Sequence, residues 1–233
     1  MTVRPGGTLD TRPLHCIWIV DGSGSMAHEG KVQALNTAIR DALPAMREVA
    51  AGNPTAEVLL RAVRFATGAS WHVQDPTPVD RFEWPDLTAD GRTDLGQGLR
   101  LVAEVLRVPP MSERALPPVL VLVSDGMPTD DYQAGIQALR AEPWGERAMR
   151  LAIAIGHDAA RDVLEEFTGR SGGQVLEANS ADALVNQIRW ASAVAVGSMV
   201  APSASRAATP DVQRQVPIPE DAGPGAGPDQ DVW

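Results

Sequence analysis

The chain has 233 residues, room for one large or two small domains, and its 44% hydrophobic content is enough for one sizeable core. A formal charge of -10 argues against nucleic-acid phosphates and anionic membrane surfaces as partners. The single cysteine, Cys16, has no disulfide partner, no basic-then-apolar leader precedes Asp21, and no stretch reaches membrane-spanning length, so the expectation is a cytoplasmic protein.

Residues 1–13 are polar, with glycines and prolines, and read as a loose lead-in. His15 to Val20 is a short apolar run of the kind that fills a central parallel strand covered on both faces. Lys31 to Val49 carries Val32, Leu35, Ile39, Leu43, Met46 and Val49 on one helical face, and Pro44 predicts a kink or break. Glu57 to Phe65 reads as a second strand and Ser70 to Val73 as a short third one, followed by a loop rich in proline and aspartate. A helix over Leu95 to Val108 stops at Pro109-Pro110, and Val119 to Ser124 is a second strongly apolar strand. A helix follows to Arg140, then a strand over Arg150 to Gly156, a helix over Ala159 to Thr168, an edge strand at Gln174 to Leu176, and a last helix over Ala181 to Val196. This alternation predicts an α/β fold, a mostly parallel Rossmann-like sheet with helices on both faces. Residues 200–233 turn to proline, glycine, serine and acids, a composition that predicts disorder.

The chemistry concentrates where the first strand hands over to the first helix, in Asp21-Gly22-Ser23-Gly24-Ser25. Ligands of open α/β sheets bind outside the carboxyl ends of strands. The glycines permit a tight turn that gathers one carboxylate and two hydroxyls, an all-oxygen set suited to Mg²⁺, Mn²⁺ or Ca²⁺ rather than zinc.

Asp-x-Ser-Gly-Ser resembles the first motif of the metal-ion-dependent adhesion site of von Willebrand factor A-type domains. Gly91-Arg92-Thr93-Asp94-Leu95-Gly96 resembles that family's threonine loop, and Leu120 to Gly126 resembles its strand with a terminal acid. The resemblance covers roughly Leu14 to Met199, which implies one A-type domain over 14–199. It implies a metal held by Asp21, Ser23, Ser25, Thr93 and Asp125, and a protein partner whose Asp or Glu completes the metal shell. The run Ser124 to Gly135 is similar to the TerY-like bacterial branch, with Met127 where that branch often has Gln. This implies an adaptor in a stress-response or tellurium-resistance module, beside a serine/threonine kinase and a PP2C-type phosphatase.

Asp94 reads equally as support for Thr93 or as a helix N-cap, and Asp131 as a helix N-terminal acid. The four histidines have no metal-ligand spacing; His28 is the one near the metal loop. Trp84, between prolines and acids, is the tryptophan expected at a partner surface. The chain is read as a non-enzyme: it has no Walker loop or Gly-x-Ser-x-Gly, and Gly96-Gln97-Gly98 opens no dinucleotide fingerprint. The rival is a Mg²⁺-dependent phosphatase resembling the haloacid dehalogenases, with Asp21 as nucleophile. That family has a second Asp where Ser23 stands, and a lysine, for which the chain offers only Lys31 early in the first helix. The tail acids Glu220, Asp221, Asp229 and Asp231 are candidates for a tethered, autoinhibitory carboxylate.

Overall fold

The computed structural model describes residues 11–169 and 175–200. Residues 1–10 of the lead-in and the acidic tail from residue 201 lie outside them. Among the described residues, six strands form one sheet in the order β3-β2-β1-β4-β5-β6. They are β1 (Arg12–Asp21), β2 (Ala56–Ala66), β3 (Gly68–Pro78), β4 (Val119–Ser124), β5 (Met149–Ile155) and β6 (Val175–Ala178). All neighbouring pairs are parallel except β2–β3. The helices are α1 (Lys31–Ala51), α2 (Leu95–Val105), α3 (Tyr132–Ala141), α4 (Pro143–Arg147), α5 (Arg161–Thr168) and α6 (Ala181–Val200). Among the described residues, no helix is long and apolar enough to cross a membrane.

The continuous apolar runs follow from burial on both sheet faces. Along β1, Leu14, Cys16, Trp18 and Val20 enter the core under α1 and α6, while Ile17 and Ile19 enter the one under α2, α3 and α5. On β4, Val119, Val121 and Val123 face the first core and Leu120 and Leu122 the second. Side chains alternate with period two, so a strand sandwiched between helix layers has no polar face to show.

Several expectations need correction. Arg12 and Pro13 belong to β1, not to a loose lead-in: Arg12 pairs with Ala56 and Pro13 with Glu57, and the Arg12 guanidinium donates to the carbonyls of Arg114 and Ala115. The third strand spans eleven residues and runs antiparallel, because Thr67 and Gly68 (φ 77°) turn the chain back along β2 as a hairpin. Helix α1 continues through Pro44 without a break. Pro44 and Arg40 are both exposed, so the missing intrahelical donor falls on the solvent side of the helix.

Trp84 is likewise not a surface residue. Only 6% exposed, it stacks edge-on against Trp18 at 5.6 Å, and its indole N–H donates to Asn36 Oδ1 at 2.9 Å. Asn36 on α1 also accepts from the Leu87 N–H and donates to the Leu87 carbonyl. One buried amide thus pins the β3–α2 loop, which leads to Thr93, against α1. Asn36→Ala strips partners from the Trp84 indole and from both backbone groups of Leu87. It is expected to lower the unfolding free energy by about 3 kcal/mol in a urea titration, whereas Gln33→Ala on the exposed face changes it by less than about 0.5 kcal/mol.

Candidate metal centre

The crossover from β1 to β2 runs through α1 on one face, and the crossover from β4 to β5 runs through α3 on the other. The carboxyl ends of β1 and β4 therefore diverge at a topological switch point, where open α/β sheets leave a crevice. Val20 and Val123 are register partners there, so Asp21 and the Ser124-Asp125 pair leave the sheet side by side.

Asp21 is fully buried; its Oδ1 accepts from the Ser23 N–H at 2.8 Å and its Oδ2 from the Ser124 hydroxyl at 2.5 Å. The Ser23 and Ser25 hydroxyls lie 2.9 Å apart, and that of Ser25 donates to Asp125 Oδ1 at 2.6 Å. Four of the five residues expected at the site, Asp21, Ser23, Ser25 and Asp125, thus form one hydrogen-bonded chain. Thr93 joins through backbone: Gly24 N–H donates to the Gly91 carbonyl at 3.0 Å and Asp90 N–H to the Gly22 carbonyl at 2.8 Å. Its side chain makes no hydrogen bond to the other four. Gly91 needs its glycine, since it has φ 80° and a Cβ there would collide with Thr67.

A second layer fixes Thr93. Its N–H donates to Thr129 Oγ1 at 3.1 Å, its carbonyl accepts from the Thr129 N–H at 2.9 Å, and the Thr129 hydroxyl donates to Asp94 Oδ1 at 2.8 Å. Asp94 occupies the N-cap position of α2 but does not cap it; its other oxygen takes the Gly68 N–H and the Gln97 amide. The Gly68 N–H, with the Thr129 hydroxyl and Arg92, holds the Asp94 carboxyl below the usual carboxylate range against the opposing effect of burial. Support for the threonine loop is therefore its role. The cap of α2 comes from Asp130, which accepts from the N–H groups of Gly96 and Gln97, and Asp131 caps its own helix through Ala134. The starts of α2 and α3 touch backbone to backbone, since a Cβ on Gly96 or Gly135 would run into the other segment.

Two residues of the site were not anticipated. Ser124 was read only as the end of a strand, although the β1–β4 register places its hydroxyl on Asp21. Lys31 reads in the sequence only as the one lysine, early in the first helix, yet its Nζ donates to Asp125 Oδ2 at 3.0 Å. His28 is exposed, and no histidine hydrogen-bonds to the site.

The donor set fits a hard divalent cation. Asp21 makes no ion pair among the described residues, so its buried charge lacks a counterion. The described residues hold no cluster of three His, Cys, Asp or Glu side chains, so the donor set consists of two carboxylates and neutral hydroxyls, all hard oxygens. Burial pushes the Asp21 carboxyl up to about 6, against the hydrogen bonds from Ser124 and Ser23.

The von Willebrand factor type A domain family model matches residues 79–190. Solved structures share the fold. A von Willebrand factor type A protein from Catenulispora acidiphila superposes with a TM-score of 0.61 at 19% identity, over 80% of this chain and 43% of that one. The pilus adhesin SpaC from Lactobacillus rhamnosus GG gives 0.64 at 14% identity, over 82% of this chain and 31% of that one. Proximal thread matrix protein 1 from the mussel byssus, in a form with a zinc-occupied MIDAS motif, gives 0.57 at 18% identity, over 81% and 46%. The chain spans less than half the length of each. No curated protein matches the sequence. The architecture is the Rossmann-like von Willebrand factor A fold.

Because burial raises the folded-state pKa of Asp21 above its ordinary value of 3.8, the native chain holds that proton more tightly than the unfolded one. In EDTA, stability is expected to fall as pH rises from about 4 through 6, by up to about 3 kcal/mol from this group. Asp21→Asn should flatten that slope and raise the melting temperature at pH 7, as thermal melts across the range would show.

Proposed function

We propose that the chain is a divalent-cation-dependent protein-binding module, with Asp21, Ser23, Ser25, Thr93 and Asp125 as the metal-holding residues. The observation that carries this is the convergence of two buried carboxylates and two serine hydroxyls in one hydrogen-bonded chain at the β1/β4 switch point, with the threonine loop tied to it. Bound there, Mg²⁺, Mn²⁺ or Ca²⁺ would supply the countercharge that Asp21 lacks and a Lewis-acidic position open to an incoming Asp or Glu. Ser25 lies exposed at the rim and Met127, 61% exposed, stands two residues beyond Asp125. A partner chain therefore has access from the loop side.

The hydrogen bonds to Asp21 oppose the rival reading as a phosphoryl hydrolase. A carboxylate with no exposed surface and both oxygens engaged by Ser23 and Ser124 is poorly placed to attack a phosphorus atom. The similarity of Ser124 to Gly135 to the TerY-like branch supports a cytoplasmic adaptor in a bacterial stress-response module, with a serine/threonine kinase and a PP2C-type phosphatase as candidate partners.

Capture of partners from a native-host lysate, in Mg²⁺ and in EDTA, tests the reading. A protein retained by metal-loaded wild type and lost with EDTA or Asp21→Ala/Ser23→Ala is the expected result. Retention in all conditions would move the interface off the metal, and phosphoester turnover abolished by Asp21→Ala would establish the hydrolase instead. Metal binding must displace the Asp21 proton. Mn²⁺ affinity by calorimetry is therefore expected to fall about tenfold per pH unit below about 6 and to level off above it.

A further inference from the structure

Of the twenty basic residues in the chain, nineteen are arginines and one is a lysine. That one, Lys31, has its ammonium on Asp125. It is the first residue of α1, and the chain reaches it through two left-handed residues, Glu29 (φ 53°) and Gly30 (φ 70°). A non-glycine residue in that region is uncommon, and such strain gathers where a neighbouring side chain must be aimed. The turn delivers the Lys31 side chain, 12% exposed, onto a carboxylate with no exposure, whose second oxygen is already taken by Ser25.

We propose that Lys31 sets the charge, and through it the metal affinity, of this centre. The inference rests on the metal reading above. Asp125 would serve a cation only by sharing charge that Lys31 already neutralises, and the ammonium on Asp125 would repel a cation held by the same carboxylate. With Lys31 in place, two carboxylates, one ammonium and a divalent ion leave a net single positive charge. Bare-ion affinity is thereby held low, and the deficit is of the size one incoming carboxylate removes. Without Lys31, the loaded centre is neutral and the metal-free centre holds two uncompensated acids. Both changes tighten metal binding.

Two measurements on the full chain test this. Calorimetry with Mn²⁺ alone at pH 7.5 is expected to show Lys31→Met binding at least about tenfold tighter than wild type, with Lys31→Arg close to wild type because charge is restored. Selective ¹⁵N-lysine labelling gives a single Nζ resonance in wild type, which Mn²⁺ should broaden away and which Asp21→Ala/Ser23→Ala should protect. This arm needs no altered Lys31 and reports even if Lys31→Met folds poorly. Unchanged or weaker Mn²⁺ binding by Lys31→Met would overturn the charge-setting role and leave the metal reading standing, with Lys31 only a latch for Asp125. A resonance indifferent to Mn²⁺ bound by wild type would also overturn it. Wild type that binds no Mn²⁺ would sink the metal reading and this inference together.

Discussion

Two acidic side chains from adjacent parallel strands are held out of water within two serines of each other, and the architecture around them answers that constraint. Asp21 has no exposure and Asp125 almost none. Burying one carboxylate is costly and burying two in contact with a shared relay is more so. The surrounding side chains distribute the cost: Ser23 and Ser124 serve Asp21, Ser25 and Lys31 serve Asp125, and the Ser23–Ser25 contact joins the halves. Every one of these groups is placed by the β1–β4 register or by the turn into α1.

The threonine loop is tied to this pair by segments far apart in sequence. Arg64 on β2 donates to the carbonyls of Gly22 and Thr88 and pairs with Asp90, clamping the first motif to the loop before Thr93. On the other side, Asp130 caps α2 from the β4–α3 loop, and Thr129 bridges Asp94 to the Thr93 backbone. Motion of the β4–α3 loop is therefore motion of the cap of α2. A partner that presses on Met127 acts on the loop that also carries Asp125, Thr129 and Asp130.

The strands and most helices were legible because doubly buried strands carry continuous apolar runs and helices carry a 3.6-residue face. Asp21, Ser23, Ser25 and Asp125 of the candidate site were legible because they follow such strands, and Thr93 only through the resemblance of its loop. What escaped depended on pairing that no local pattern records. Ser124 is ordinary until β1 lies beside β4, and Lys31 is simply a helix start until the Glu29-Gly30 turn aims it. Trp84 misled for the same reason: its neighbours are polar, but Asn36 on a distant helix supplies the hydrogen bond that lets an indole be buried. Pro44 does not break α1, because it occupies the exposed face of the helix. Asp94 stood at a capping position, and only the tertiary contacts show another acid doing the capping.

On the proposed reading, long-range and local electrostatics oppose one another. The chain carries a formal charge of -10, so its distant field repels an acidic partner. That repulsion is screened beyond roughly 8 Å at physiological ionic strength. Inside that distance the partner meets a different balance: the ammonium of Lys31, the exposed guanidinium of Arg92, and the ion that Asp21 lacks as countercharge. Encounter is then slow for any acidic surface, and capture is confined to a carboxylate that reaches the centre itself. A globally acidic protein with one locally positive, metal-dependent position thus discriminates by coordination at short range, where geometry decides, rather than by attraction at long range, where any charged partner would serve.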